Sequence, residues 1–136
     1  MSSSWRCAFV VALSVVSSGA HAADVDLADA LKSAQFTHYA KAPGYSEGPT
    51  WKDGELFFCS GVLLRVGRDG KVDRHLDIGP AGTVLCSDGR LLICDNRHKA
   101  LLQLAPDGKL GVLAESHDGQ PLQSLNDLSN DARGNI

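Results

Sequence analysis

The feature that most constrains the fold of this chain is a repeat of short apolar segments separated by turns. The segment DGELFFC begins at Asp53, and the similar segment DGRLLIC begins 35 residues later at Asp88. In the same way LLRVGRDGKV begins at Leu63, and LLQLAPDGKL begins 38 residues later at Leu101. A chain that resembles itself at such a period is expected to build one structural unit several times.

Asp-Gly pairs between the apolar runs predict β-hairpins. In a type I′ hairpin turn both central residues take positive φ, which Asp tolerates and Gly accepts freely. The flanking runs LFFC, LLRV, TVLC, LLIC and LLQL are typical of strands. The chain has five such pairs, which begin at Asp53, Asp69, Asp88, Asp107 and Asp118.

A third copy of the unit begins at Asn126, with Arg133-Gly134 in the place of the Asp-Gly turn. Antiparallel units of ~35 to 45 residues are typical of β-propeller blades, whereas a β-sandwich does not require the sequence to repeat at this period. The predicted fold class is therefore all-β, a β-propeller of which the chain holds about the first two blades. Propellers have roughly four to eight blades. We therefore expect a fragment of a longer protein, inactive and incompletely folded alone.

Residues 1–22 have the pattern of a secretory signal peptide. Arg6 gives a positive n-region, residues 7–16 an apolar h-region, and Ala20-His21-Ala22 a small-residue cleavage site. The apolar run is far shorter than the ~20 residues that span a bilayer, so no membrane span is expected. This predicts a periplasmic or secreted protein. Residues 23–44 then form an N-terminal extension with a short helix, and residues 45–136 the incomplete propeller.

Charge and cysteine content exclude further classes of function. The chain has 13 Lys and Arg against 16 Asp and Glu, so nucleic acid is not an expected partner. Three cysteines remain after signal cleavage, without the C-x-x-C spacing of zinc or redox sites, and we expect buried free thiols, although export permits a disulfide. These are Cys59, Cys86 and Cys94. Three histidines near turns, expected to be solvated, are His75, His98 and His117.

Register places Glu47 and Asn126 at the same end of the repeated units. If the first Asp-Gly pair forms a two-residue turn, Glu47 begins its strand opposite Ser60, and Gly82 takes the equivalent place in the second unit. The first strand of each blade lines the channel of a propeller, so the Glu47 carboxylate and the Asn126 amide are expected at one channel mouth. Such donors suit Ca²⁺ or Mg²⁺, with Zn²⁺ or Mn²⁺ as alternatives. Both residues also fit ordinary solvated turns.

The segment EGPTW from Glu47, followed by GELFFCS, DGKV, DGRLLICD and LNDLSNDARGNI, resembles the N-terminal part of the SMP-30/gluconolactonase family of regucalcin-like, six-bladed propellers. The resemblance runs from about Tyr45 to Ile136. It implies one divalent metal at the channel mouth and the hydrolysis of a small-molecule lactone. It also implies that Glu47 is the first metal ligand and that Asn126 binds substrate beside the metal. The family's general-base Asp has no counterpart up to Ile136, so no catalytic residue is assigned.

Two functions remain open. The first is a metal-dependent lactonase, in which the cation polarises the lactone carbonyl and acidifies a bound water. The second is a non-catalytic propeller that binds a sugar, peptide or protein at its channel mouth, with Glu47 only structural. The chain has Leu125 where many bacterial family members have proline before the Asn, which is expected to loosen the backbone there. A serine hydrolase is not expected, because no G-x-S-x-G motif occurs.

Overall fold

The computed structural model describes residues 26–35 and 37–136. The chain divides into two compact units, residues 1–41 and 42–136. In the first unit helix α1 covers Leu27–Ser33, and the Asp26 carboxylate caps it by accepting a hydrogen bond from the Ala28 N–H at 2.8 Å. The predicted signal peptide lies outside the described residues. Within the described residues no helix is long and apolar enough to cross a membrane.

The second unit is built from two four-stranded antiparallel meanders. The first sheet has the order β1-β2-β3-β4 and the second the order β5-β6-β7-β8, followed by a short ribbon of β9 and β10. Each meander is a propeller blade, so the predicted all-β propeller fold is confirmed. The strands are β1 Glu47–Lys52, β2 Glu55–Cys59, β3 Leu63–Val66, β4 Val72–Leu76, β5 Pro80–Leu85, β6 Leu91–Asp95, β7 Ala100–Leu104, β8 Leu110–Ala114, β9 Ser116–His117 and β10 Gln120–Pro121.

The turn prediction is right only in part. Asp53 and Gly54 have φ of 54° and 83°, as a type I′ turn requires, and Asp118 with Gly119 is similar. At three other pairs only the glycine has positive φ, and its N–H donates to the carbonyl three residues earlier. Those hairpins are type I turns that end in a glycine bulge. The Asp-Gly pair suits both geometries, because Gly supplies the left-handed residue in each; the bulged turns end at Gly70, Gly89 and Gly108.

The hydrophobic core of this unit lies between the two sheets. Side chains alternate along each strand, so one face of β2 and β3 meets one face of β6 and β7. All three described cysteines are free, and Cys59 and Cys94 are buried as predicted, whereas Cys86 is only half-buried. The core residues are Phe57, Cys59, Leu63, Ile78, Leu91, Ile93, Ala100, Leu102 and Leu104.

The first strand of each blade, here called the inner strand, is β1 in the first blade and β5 in the second. Each inner strand carries a β-bulge near its start. In β1 the register shifts between Glu47 and Thr50, and in β5 it shifts between Pro80 and Thr83. The shift places Glu47 opposite Cys59, so the partner predicted from simple counting, Ser60, is wrong. A bulge inserts an extra residue into one strand, which residue counting cannot detect.

Close packing and hydrogen bonds at the two bulges join the blades to each other. Gly48 has a φ of 56°, and a Cβ built there would lie 2.7 Å from the Ala81 carbonyl oxygen, so only glycine fits. The Thr83 hydroxyl donates to the Gly48 carbonyl at 2.8 Å, and the Thr50 hydroxyl donates to the Thr83 carbonyl at 3.0 Å. These bonds join β1 to β5 along the inner edge of the two sheets.

Candidate functional site

Glu47 stands at the start of β1 and is half-buried. Its Oε2 atom accepts a hydrogen bond from the Tyr45 hydroxyl at 3.2 Å. Within residues 26–35 and 37–136, no Lys, Arg or His forms an ion pair with this carboxylate. A carboxylate in that position is available to a bound cation.

The loop that leads into Glu47 is held by serine hydroxyl groups. The Ser60 hydroxyl donates to the Tyr45 carbonyl at 2.8 Å, and the buried Ser46 hydroxyl donates to the Gly44 carbonyl at 3.1 Å. Tyr45 itself is 74% exposed. The backbone before Glu47 is therefore fixed while the tyrosine ring faces solvent.

Asn126 is exposed and lies next to the second inner strand. A Cβ built on Gly82 would lie 2.6 Å from the Asn126 carbonyl oxygen and 2.7 Å from Asp127 Oδ1. A Cβ built on Gly48 would lie 3.0 Å from Gly82 Cα. The segment that contains Glu47 thus approaches Gly82 through Gly48, and the segment that contains Asn126 approaches Gly82 directly. Glu47, Gly82 and Asn126 are the three positions that the repeat predicts to be equivalent in successive blades.

Amide side chains hold the segment around Asn126 against the second blade. Asn96 Nδ2 donates to the carbonyl of Leu125, and Asn130 Nδ2 donates to the carbonyl of Leu85 at 3.3 Å. Leu125 was expected to loosen this backbone because it stands in place of proline. The bond from Asn96 restrains the carbonyl directly before Asn126.

The charge around Glu47 is negative. Burial, followed by the charges of Glu47, Cys94 and Asp127, raises the pKa of the Cys59 thiol to about 12. Burial, followed by the charge of Asp127, also raises the pKa of the Cys94 thiol. Two carboxylates, Glu47 and Asp127, therefore lie close enough to the buried Cys59 thiol to raise its pKa.

The donor chemistry fits a hard cation better than a soft one. In the described part of the chain, no group of three His, Cys, Asp and Glu side chains could hold a metal ion. The candidate donors are the Glu47 carboxylate and the Asn126 amide oxygen, which are the ligand types of Ca²⁺ and Mg²⁺. Cys59 and Cys94 are buried free thiols whose pKa values are raised, above all by burial.

A buried carboxylate outside this site was not predicted from the sequence. Asp95 is fully buried, and its Oδ1 accepts from the Gly79 and Arg97 N–H groups at 2.8 and 3.0 Å, while its Oδ2 bonds His98 Nδ1. Burial raises the pKa of Asp95, but the hydrogen bonds from His98, Gly79 and Arg97 outweigh it and leave the pKa below its ordinary value. The Asp-x-x-His spacing is the signal that could have indicated this pair. Its role is to hold the loop at Gly79.

The histidines are only partly as predicted. His98 and His117 are exposed, as expected. His75 is half-buried and packs edge-on against Phe57, with ring centroids 5.1 Å apart, so the prediction of a solvated side chain is wrong there. Burial and the nearby Arg65 charge lower the pKa of His75.

No protein-family model matches the sequence, and no curated protein matches it. Solved structures do match. One is a gluconolactonase from Xanthomonas campestris described as important in glucose secondary metabolic pathways, with 31% identity and a TM-score of 0.60 over 66% of this chain and 32% of that chain. Another, provisionally assigned as a gluconolactonase, has 22% identity and a TM-score of 0.61 over 66% of this chain and 34% of that chain.

These matches show that the fold of this chain is similar to that of solved β-propeller gluconolactonases. The resemblance to the SMP-30/gluconolactonase family, first seen in the EGPTW and LND motifs, is confirmed by the structural neighbours. The chain spans about a third of the length of each solved relative.

Proposed function

We propose that the protein carrying this chain is a metal-dependent hydrolase of sugar lactones, with Glu47 as a metal ligand at the channel mouth. One observation carries the proposal: the Glu47 carboxylate, without a described cationic partner, begins β1, and the next residue, Gly48, lies close to Gly82, which also meets the Asn126 segment. The same fold occurs in gluconolactonases. A small-molecule lactone is the proposed substrate.

Ca²⁺ is the proposed metal, with Mg²⁺, Mn²⁺ and Zn²⁺ as alternatives. When bound, it would supply polarisation of the lactone carbonyl and a more acidic water. Glu47 would hold the cation, and Asn126 would bind the substrate beside it. We propose that the other ligands and the general base come from parts of the propeller that the solved relatives have outside the matched third.

Several residues of this chain would fix the positions of Glu47 and Asn126 before a ligand binds. The bulge at Gly48 sets the position of Glu47 at the strand end. Gly82 leaves room for the Asn126 backbone, and Asn96 restrains Leu125. Side chains that are already fixed lose less conformational entropy when a ligand binds. Such preorganisation helps an enzyme to orient its reactants.

A non-catalytic binding propeller is the second candidate. It is favoured by the hydrogen bond from the Tyr45 hydroxyl, which gives the Glu47 carboxylate a structural partner. In that case Glu47 would only accept the Tyr45 hydrogen bond and fix the loop.

Hydrolysis of D-glucono-1,5-lactone by the full-length protein tests the proposal, with acid release followed at constant pH. Heat-denatured protein gives the spontaneous rate. We expect activity above that rate, its loss with a chelator, and its return on adding Ca²⁺. Release at the spontaneous rate with and without metal would contradict a lactonase and favour the binding module.

We also propose that the protein is exported and cleaved after Ala22. The mass of the protein recovered from a periplasmic fraction tests this. A mature chain that begins at Ala23 is the expected result, and an uncleaved chain confined to the cytoplasm would contradict it.

A further inference from the structure

We infer that Tyr45 is a positioning residue for Glu47, an inference that rests on the proposed function. The Tyr45 hydroxyl donates to Glu47 Oε2 at 3.2 Å. Within the described residues no hydrogen bond is formed by Oε1. One carboxylate oxygen is thus held by the phenol, while the other is left to a cation.

The contact is built into the backbone. Tyr45 lies two residues before Glu47, in the loop that leads into β1, and its side chain reaches the Glu47 carboxylate. Both are tied to the end of β2, because Glu47 pairs with Cys59 and the next residue, Ser60, donates to the Tyr45 carbonyl at 2.8 Å. Between them Ser46 is buried and cannot turn outward without breaking its contacts. The spacing of phenol and carboxylate therefore follows from the hairpin itself.

A hydrogen bond of this kind orients a metal ligand. Partners that hold a ligating side chain from behind typically contribute about 10- to 100-fold to metal affinity. The ring of Tyr45 is 74% exposed, and replacement by phenylalanine keeps that ring and removes only the hydroxyl group. The role of Tyr45 can therefore be separated from a role in stability.

Calorimetric titration of the metal-free, full-length protein with Ca²⁺ tests the inference. Tyr45→Phe deletes only the hydroxyl, and Tyr39→Phe is the matched control. We expect Tyr45→Phe to weaken Ca²⁺ binding by about tenfold, with an unchanged melting temperature of the metal-free protein. Tyr39→Phe is expected to match the wild type in Ca²⁺ affinity. Ser60→Ala, which releases the Tyr45 backbone, should weaken binding in the same direction by less.

A Glu47→Gln variant distinguishes failure of the inference on Tyr45 from failure of the proposed metal site. If Glu47→Gln weakens Ca²⁺ binding and Tyr45→Phe does not, the inference on Tyr45 is overturned while the proposed function stands. If Glu47→Gln binds Ca²⁺ as the wild type does, or the wild type binds none, the proposed metal site is wrong and the inference falls with it. A lowered melting temperature in Tyr45→Phe without a change in affinity would assign the residue a structural role and overturn the inference.

Discussion

Gly82 lies directly against Asn126, since a Cβ atom built on Gly82 would be 2.6 Å from the Asn126 carbonyl oxygen. Real Cβ atoms do not approach backbone oxygens so closely. Gly82 also lies beside Gly48, at the start of the first blade. The small residue therefore acts as a spacer that allows the segments carrying Glu47 and Asn126 to approach the same point.

Replacement of Gly82 by alanine is expected to displace the Asn126 segment. Gly82 does not have positive φ, so the effect comes from the clash and not from backbone strain. Gly82→Ala should lower the free energy of unfolding by about 1 to 3 kcal/mol and reduce lactone hydrolysis. Gly44→Ala is the control, because a Cβ there meets nothing within 4 Å. Equal stability and activity of the two variants would contradict the spacer role.

Replacement of Thr83 by valine should loosen the junction of the two inner strands. Valine keeps the shape of the side chain but removes the hydroxyl that donates to the Gly48 carbonyl. We expect a loss of about 1 to 2 kcal/mol in the free energy of unfolding, measured by urea denaturation. Thr37→Val, at an exposed position, is expected to change stability much less. A loss no larger than that of Thr37→Val would show that the bond adds nothing.

Removal of the Asp95 carboxylate leaves the Gly79 and Arg97 N–H groups and His98 without their partner. Asp95→Ala should lower the free energy of unfolding at pH 7 by about 3 kcal/mol. The control Asp107→Ala removes an exposed carboxylate that accepts only a turn hydrogen bond.

The contribution of Asp95 is also expected to depend on pH. Because its folded pKa is lowered, the stabilisation is complete above the ordinary value of 3.8 and is lost as the pH falls through the lower, folded value. The difference in unfolding free energy between wild type and Asp95→Ala should therefore shrink below about pH 4. A difference that stays constant down to pH 2 would contradict this assignment.

The strands with strongly apolar runs were predictable from sequence, whereas the outer strand β4 followed only from the hairpin predicted at Asp69. LFFC and LLIC lie in β2 and β6, where both faces of the strand are buried. β4 reads VDRHL and is only half-buried, so its residues carry no clear apolar signal. The bulges also escaped prediction, since a residue count does not show where an extra residue leaves the ladder.

The candidate site was predictable where it depends on the repeat. Glu47 and Asn126 were predicted from register and from the family resemblance, and their segments both approach Gly82, while their roles stay predictions. Tyr45 was not found, because it precedes the first strand and its bond to Glu47 depends on the loop held by Ser60. Contacts of that kind arise from tertiary placement and leave no periodic pattern in the sequence.

The most direct test of the central claim is the kcat/KM for D-glucono-1,5-lactone of the full-length Glu47→Gln variant. Glutamine preserves the size of the side chain but removes its charge, and Glu115→Gln provides the control at an exposed position. We predict that Glu47→Gln lowers kcat/KM by at least about 100-fold at saturating Ca²⁺ while Glu115→Gln leaves it unchanged. A Glu47→Gln variant with the kcat/KM of the wild type would contradict the account.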